Sequence, residues 1–167
     1  MAATHPLLSI RPACTDDAPL IRQFIAELAD YERLADAAVA TADDLRAQLF
    51  GDHPAAEVLI GEVDGEPAGF ALFFHNFSTF LGKRGLYLED LFVRPQYRGS
   101  GLGKHLMAAL ARLAVQRGCG RFEWSVLDWN TAAIGFYRTL GAVGMDGWTV
   151  QRLEGDALHV LAARDEL

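Results

Sequence analysis

An α/β fold with one mixed sheet covered by helices on both faces is predicted by three features of the sequence. Three strand-like runs follow one another, Glu57 to Val63, Ala68 to Asn76 and Leu86 to Val93. After them helical and strand patterns alternate, so sheet and helix share a single architecture rather than segregating. The 167 residues, 51% of them apolar and 22% charged, suffice for one full core and are too few for two ordinary ones. A single domain over residues 1–167 is expected, with residues 1–6 flexible.

Each element has a local reason. Leu8 to Arg11 reads as a short first strand stopped by Pro12. Asp16 and Asp17 are N-cap candidates for a helix running to Glu32, with Leu20, Phe24, Ile25 and Leu28 at helical spacing. Thr41, with Asp44 three residues on, nearly matches a capping box and starts a second helix that should stop near Gly51. Asp64-Gly65-Glu66-Pro67 is a hairpin signal between the first two strand runs. A loop over Phe77 to Arg84 precedes the strand at Leu86, which Pro95 closes. Gly101 to Gly118 fits a helix with Leu102, Leu106, Leu110 and Leu113 on one side. Arg121 to Leu127 alternates as a strand, Asn130 caps a helix ending at Gly141, and Val143 to Leu153 supplies the last strand.

Composition narrows the function classes. The net charge is −7, and residues 16–66 carry thirteen acidic side chains against three arginines. Such a surface repels nucleic acid and membrane phosphates and attracts cations such as amines. No apolar run approaches the roughly 18 residues that span a bilayer, and Met1 to Pro6 lacks the charged start of a secretory signal. Cys14 and Cys119 alone make neither a disulfide framework nor a Cys-rich metal site. A reduced cytoplasmic protein is the expectation, with no metal, no nucleic-acid partner and no membrane partner.

One stretch, from Arg94 to His105, holds Arg94, Arg98 and Lys104 without an acid. It is a glycine-rich turn between a strand and a helix, the arrangement that aims backbone N–H groups and a helix dipole at a phosphate. A nucleoside triphosphate loop would need Gly at Arg98 and Ser or Thr at His105. A dinucleotide fingerprint would need Gly at Lys104 or at Leu106. What remains is Arg98-x-x-Gly101-x-Gly103, for which a pyrophosphate is the natural guest. Just upstream, Glu89 and Asp90 interrupt a buried strand where no structural need for charge is visible. Strand alternation sets Glu89 on the face of Tyr87, Leu91 and Val93, and Asp90 on the face of Leu88 and Phe92. In a regular strand the two carboxylates do not form one paired site.

This turn resembles the acyl-coenzyme A motif of the GNAT acetyltransferases. The resemblance extends to Glu27-Leu-Ala-Asp-Tyr-Glu32, Gly51-Asp-His-Pro54, Leu86 to Val93, Tyr97-Arg-Gly99, and Asp128-Trp-Asn130 through Phe136-Tyr137, and is to the diamine (spermidine/spermine) and thialysine branch. It implies the GNAT fold, a central sheet whose strands at Leu86 to Val93 and Arg121 to Leu127 run parallel and splay apart around acetyl-coenzyme A. The backbone of Leu91, Phe92 and Val93 would meet the pantetheine arm. Arg98, Gly99, Ser100, Gly101, Leu102, Gly103 and Lys104 would hold the pyrophosphate. Asn130 would reach the pantetheine amides, a role its N-cap position competes with.

The same resemblance makes Glu89 the general base and Tyr137 the general acid, although helical spacing alone reads Tyr137 as a core residue beside Ile134 and Leu140. Tyr31, Glu32, Asp90 and Trp148 match positions that recognise a cationic acceptor; Trp148 is equally readable as core. One departure stands out. Where the polyamine enzymes carry Asp-Pro-Trp before Ile-Gly-Lys, this chain has Ser78-Thr-Phe80 before Leu81-Gly-Lys83. An acid is missing there and a smaller aromatic replaces Trp, which weakens the polyamine assignment and leaves thialysine, lysine-like amino acids or another small primary amine open as small-molecule acceptors. Protein or antibiotic acetylation, or acyl-coenzyme A binding without catalysis, would use the same fold. A homodimer is implied by the family.

Overall fold

The computed structural model describes residues 5–164. The first four residues of the expected flexible start lie outside the described residues. Two compact units are present, one ending at Ser125 and the other beginning at Val126.

The first unit is a five-stranded sheet in the order β1-β2-β3-β4-β5. Its strands are β1 Leu8–Pro12, β2 Glu57–Val63, β3 Glu66–Ser78, β4 Lys83–Val93 and β5 Arg121–Trp124. The first four pair antiparallel and β5 joins β4 in parallel, so the sheet is mixed as expected. Pro12 ends the edge strand β1 rather than preceding its loop, opposite Leu59, which an edge strand tolerates. Between β2 and β3, Asp64 and Gly65 have φ of 52° and 84°, the left-handed pair that a two-residue hairpin turn requires.

Helices cover both faces. Over one face lie α1 (Ala18–Tyr31) and α2 (Ala42–Phe50). Ile21, Phe24, Leu28 and Leu49 pack there against Val58, Ile60, Phe70 and Phe92, with the rings of Phe24 and Phe70 stacked at 5.4 Å. The capping box at Thr41 is formed: Asp44 N–H donates to Thr41 Oγ1 at 3.1 Å, and Thr41 N–H donates to the Asp44 carboxylate at 2.8 Å. Asp17 precedes α1, but its carboxylate is spent elsewhere. It accepts two bonds from the Arg11 guanidinium, at 2.7 and 2.9 Å, and that pairing holds its pKa down at about 2.

On the opposite face α3 (Leu102–Gln116) buries Leu102, Leu106, Met107, Leu110 and Ala114. Its close approach explains Gly61 on β2, where a Cβ would come within 2.9 Å of the Leu102 side chain. At the end of α3, Arg117 lies over the Phe73 ring and donates two bonds to Glu57.

The second unit holds α4 (Thr131–Thr139) and α5 (Gly155–Ala162). Two expectations need correction. The strand expected over Arg121 to Leu127 ends at Trp124, and Val143 to Leu153 forms no strand at all. Gly144 and Gly147 interrupt that last run, and its Val143 and Val150 are more than 80% exposed, so neither backbone preference nor burial favours an extended pairing. The helix α5 was not foreseen in the sequence, although its Ala- and Leu-rich stretch favours one.

Candidate active site

The site in the first unit is created by two irregularities of β4. The first is where β5 stops. β5 pairs with β4 only from Gly85 to Leu88, while β4 continues to Val93. The edge of β4 that carries Leu91, Phe92 and Val93 is therefore beyond the reach of β5. Tyr87 fixes the point of divergence, since its hydroxyl lies 2.8 Å from Ser125 Oγ, one residue past the end of β5.

The second irregularity is a bulge. On β3, Leu72 faces Asp90 and the next residue, Phe73, faces Leu88, so Glu89 is an extra residue without a partner. A bulge exchanges the faces of everything that follows it. Leu88 opposes Phe73 on the α3 face, whereas Phe92 opposes Phe70 in the α1 and α2 core. Asp90 opposes Leu72 and shares the α1 face with Phe92. The regular alternation expected from sequence is thus broken at Glu89: Asp90 shares a face with Phe92 as expected, but not with Leu88.

The consequence is electrostatic. Asp90 is pushed up to about 6, chiefly by burial and then by the negative charges of Glu89 and Glu32. Glu32 caps the C-terminal end of α1, where the helix dipole disfavours an acid, and burial raises its pKa too. Three carboxylates, Glu32, Glu89 and Asp90, therefore act on one another toward the end of β4. Among the described residues no group of His, Cys, Asp or Glu is placed to hold a metal ion.

The glycine turn adjoins them. Gly99 and Gly101 have φ of 84° and 92°, values a side chain would strain, and Gly101 caps α3. Its N–H groups are not all equivalent. Those of Arg98 and Ser100 donate to Pro95 and Tyr97 carbonyls, and that of Leu102 to Ser100 Oγ at 3.3 Å. Gly103 and Lys104 supply first-turn N–H groups that no earlier carbonyl of the helix can take. The expected row of donors from Arg98 to Lys104 is thus divided between those that build the turn and those of the first helical turn that no helix carbonyl takes.

Arg94, where the turn begins, is tied down from two sides. Its guanidinium donates two bonds of 2.9 Å to Glu27 on α1 and one of 3.0 Å to the Pro67 carbonyl. Sequence reasoning noted both residues without pairing them; their opposite charges, 67 positions apart, gave no signal of contact. A cavity of about 530 Å³ lies at the other end of β3 and β4, lined by Glu57, His75, Asn76 and Arg84 among others, and is separate from the carboxylates.

Asn130, Tyr137 and Trp148 belong to the second unit. Asn130 is buried and its Oδ1 accepts the Ala133 N–H at 3.2 Å, so its capping role is real. Tyr137 is half-buried in α4, its ring 5.4 Å from that of Phe136. Trp148 is 78% exposed, which removes the reading of it as core.

The acetyltransferase (GNAT) family pattern matches residues 22–142. The chain belongs to the GNAT acetyltransferase family. A thialysine N-epsilon-acetyltransferase of Sus scrofa is 39% identical, the match covering 93% of this chain and 97% of that one. L-ornithine N5-acetyltransferase NATA1 of Arabidopsis thaliana is 36% identical, over 94% of this chain and 89% of the other. Among solved structures, an integron cassette protein from the mobile metagenome of V. cholerae superposes with a TM-score of 0.79 at 28% identity, covering 94% of this chain and 98% of that one. This GNAT protein is an N-acetyltransferase, and its mixed sheet flanked by helices is the GNAT fold.

Proposed function

We propose that this protein transfers the acetyl group of acetyl-coenzyme A to a side-chain amine of a small cationic acceptor, by direct attack in a ternary complex. The observation that carries the reading is the convergence of Glu32, Glu89 and Asp90 where β5 leaves β4. An ammonium ion brought among them would relieve mutual repulsion that folding alone leaves in place. The turn from Arg98 to Lys104, with the dipole of α3 behind it, supplies the complementary site for the coenzyme A pyrophosphate.

Each residue then has a task. An alkylammonium has a pKa near 10.4, so a proton must leave before attack, and Glu89, the exposed residue of the bulge, takes it directly or through water. The amine nitrogen forms a bond to the thioester carbon, a backbone N–H near Leu91 donates to the developing oxyanion, and the carbon–sulfur bond breaks. Tyr137 gives its proton to the departing thiolate, and the second proton, shed by the nitrogen as it becomes an amide, passes through water to the tyrosinate. Glu32, Asp90, Tyr31 and Trp148 receive the rest of the acceptor, and Asn130 the pantetheine amides.

The relatives named for thialysine and ornithine favour amino-acid amines over polyamines, as do Thr79 and Phe80 in place of an acid and a tryptophan. The exposed Val143, Met145 and Val150 support a homodimer, to be checked by sedimentation velocity. The acceptor assignment is tested by the Asp90→Asn change. It should raise KM for the amine at least tenfold with a smaller effect on KM for acetyl-coenzyme A; an unchanged amine KM would remove Asp90 from the acceptor site.

A further inference from the structure

Arg98 has two connections that phosphate binding does not require. Its Nε donates to the Val93 carbonyl at 3.1 Å, which folds the side chain back over the end of β4. Its guanidinium carbon then lies 4.7 Å from the centre of the Tyr31 ring and 5.9 Å from that of Phe92. Tyr31 is the last residue of α1 and immediately precedes Glu32, while Arg98 closes the short helical turn Pro95–Tyr97 and opens the glycine turn. One cation–ring contact therefore joins the helix end that carries the acceptor carboxylate to the loop that would receive the coenzyme.

From this geometry we propose that Tyr31 is a positioning residue of the coenzyme A site. Its ring holds the Arg98 guanidinium, and Arg98 in turn holds the turn whose N–H groups face the pyrophosphate. A residue on the acceptor side thus sets the affinity of the donor, before any amine is present. The ring is what matters: a phenylalanine preserves the face over which a guanidinium sits, and an aliphatic side chain does not. The inference rests on the acetyl-coenzyme A reading of the turn.

The test is calorimetric titration of coenzyme A into the full chain without amine. Tyr31→Leu should weaken binding about two- to five-fold, the range for a partly exposed cation–ring contact, and Tyr31→Phe should restore wild-type affinity. In an Arg98→Gln background, Tyr31→Leu should have no further effect, because its partner is already gone. If Tyr31→Leu does not fold, Tyr31→Met carries the same comparison. Wild-type affinity in the Tyr31→Leu variant, or an equal loss in both backgrounds, would overturn the proposal. A wild-type protein that binds no coenzyme A would instead overturn the reading of the turn, and the proposal with it.

Discussion

Replacing Asp90 with asparagine should stabilise this protein at pH 8 and leave its stability unchanged near pH 4. The carboxyl of Asp90 has a pKa of about 6 in the fold against an ordinary 3.8, because burial and the charges of Glu89 and Glu32 oppose its ionisation. The folded state therefore keeps a proton that the unfolded chain has already lost between those two values. Stability is fully present below the unfolded pKa and declines as pH rises through about 6. At about 1.4 kcal/mol per pH unit the difference is about 3 kcal/mol at pH 8, an upper figure for a site that solvent partly reaches. In a chain of this size that corresponds to a rise in Tm of roughly 6 to 12 °C. Urea melts of both proteins from pH 4 to pH 8 read it directly. A gain of the same size at every pH, or a loss at pH 8, would refute the electrostatic origin of the strain. A cationic acceptor should reverse the sign by favouring the ionised Asp90, so wild-type protein below pH 6 should release protons when it binds amine.

Other consequences follow from individual contacts. Glu27→Gln leaves the mostly buried Arg94 guanidinium without its charged partner and should cost about 1 to 3 kcal/mol in a denaturant melt, a loss that a second change of Arg94→Met should partly recover. Gly101→Ala forces a side chain onto a φ of 92° and should cost about 1 to 2 kcal/mol in the same melt while weakening coenzyme A binding by calorimetry. Tyr137→Phe should lower kcat by about 10² or more with little change in the affinity for acetyl-coenzyme A, read by steady-state kinetics and titration; an unchanged kcat would return Tyr137 to a packing role.

Much of this architecture is legible in the sequence. The hairpin at Asp64-Gly65 and the capping box at Thr41 are local chemistry, determined by a few neighbouring side chains, and both stand as read. The glycine turn was legible for the same reason. The bulge at Glu89 was not, because it is a property of register: it shows only when Leu72 and Phe73 are set against Asp90 and Leu88. Alternation fails at that one place, so Asp90 and Leu88 lie on opposite faces of the sheet. The Arg94–Glu27 pair and the Arg98–Tyr31 contact were hidden by distance along the chain, since charge or aromaticity alone names no partner 67 residues away. The run from Val143 to Leu153 misled in the opposite direction, its apolar residues suggesting a strand that finds no pairing among the described residues.

The most direct test of the acidic acceptor site is thiol release from acetyl-coenzyme A, followed with thialysine, ornithine, lysine, spermidine and a peptide amino terminus in turn. Turnover stimulated most by an amino-acid side-chain amine, and lost at subsaturating amine in the Asp90→Asn variant, is the predicted result. No stimulation by any of these amines above background hydrolysis, in a protein that still binds coenzyme A, would contradict it.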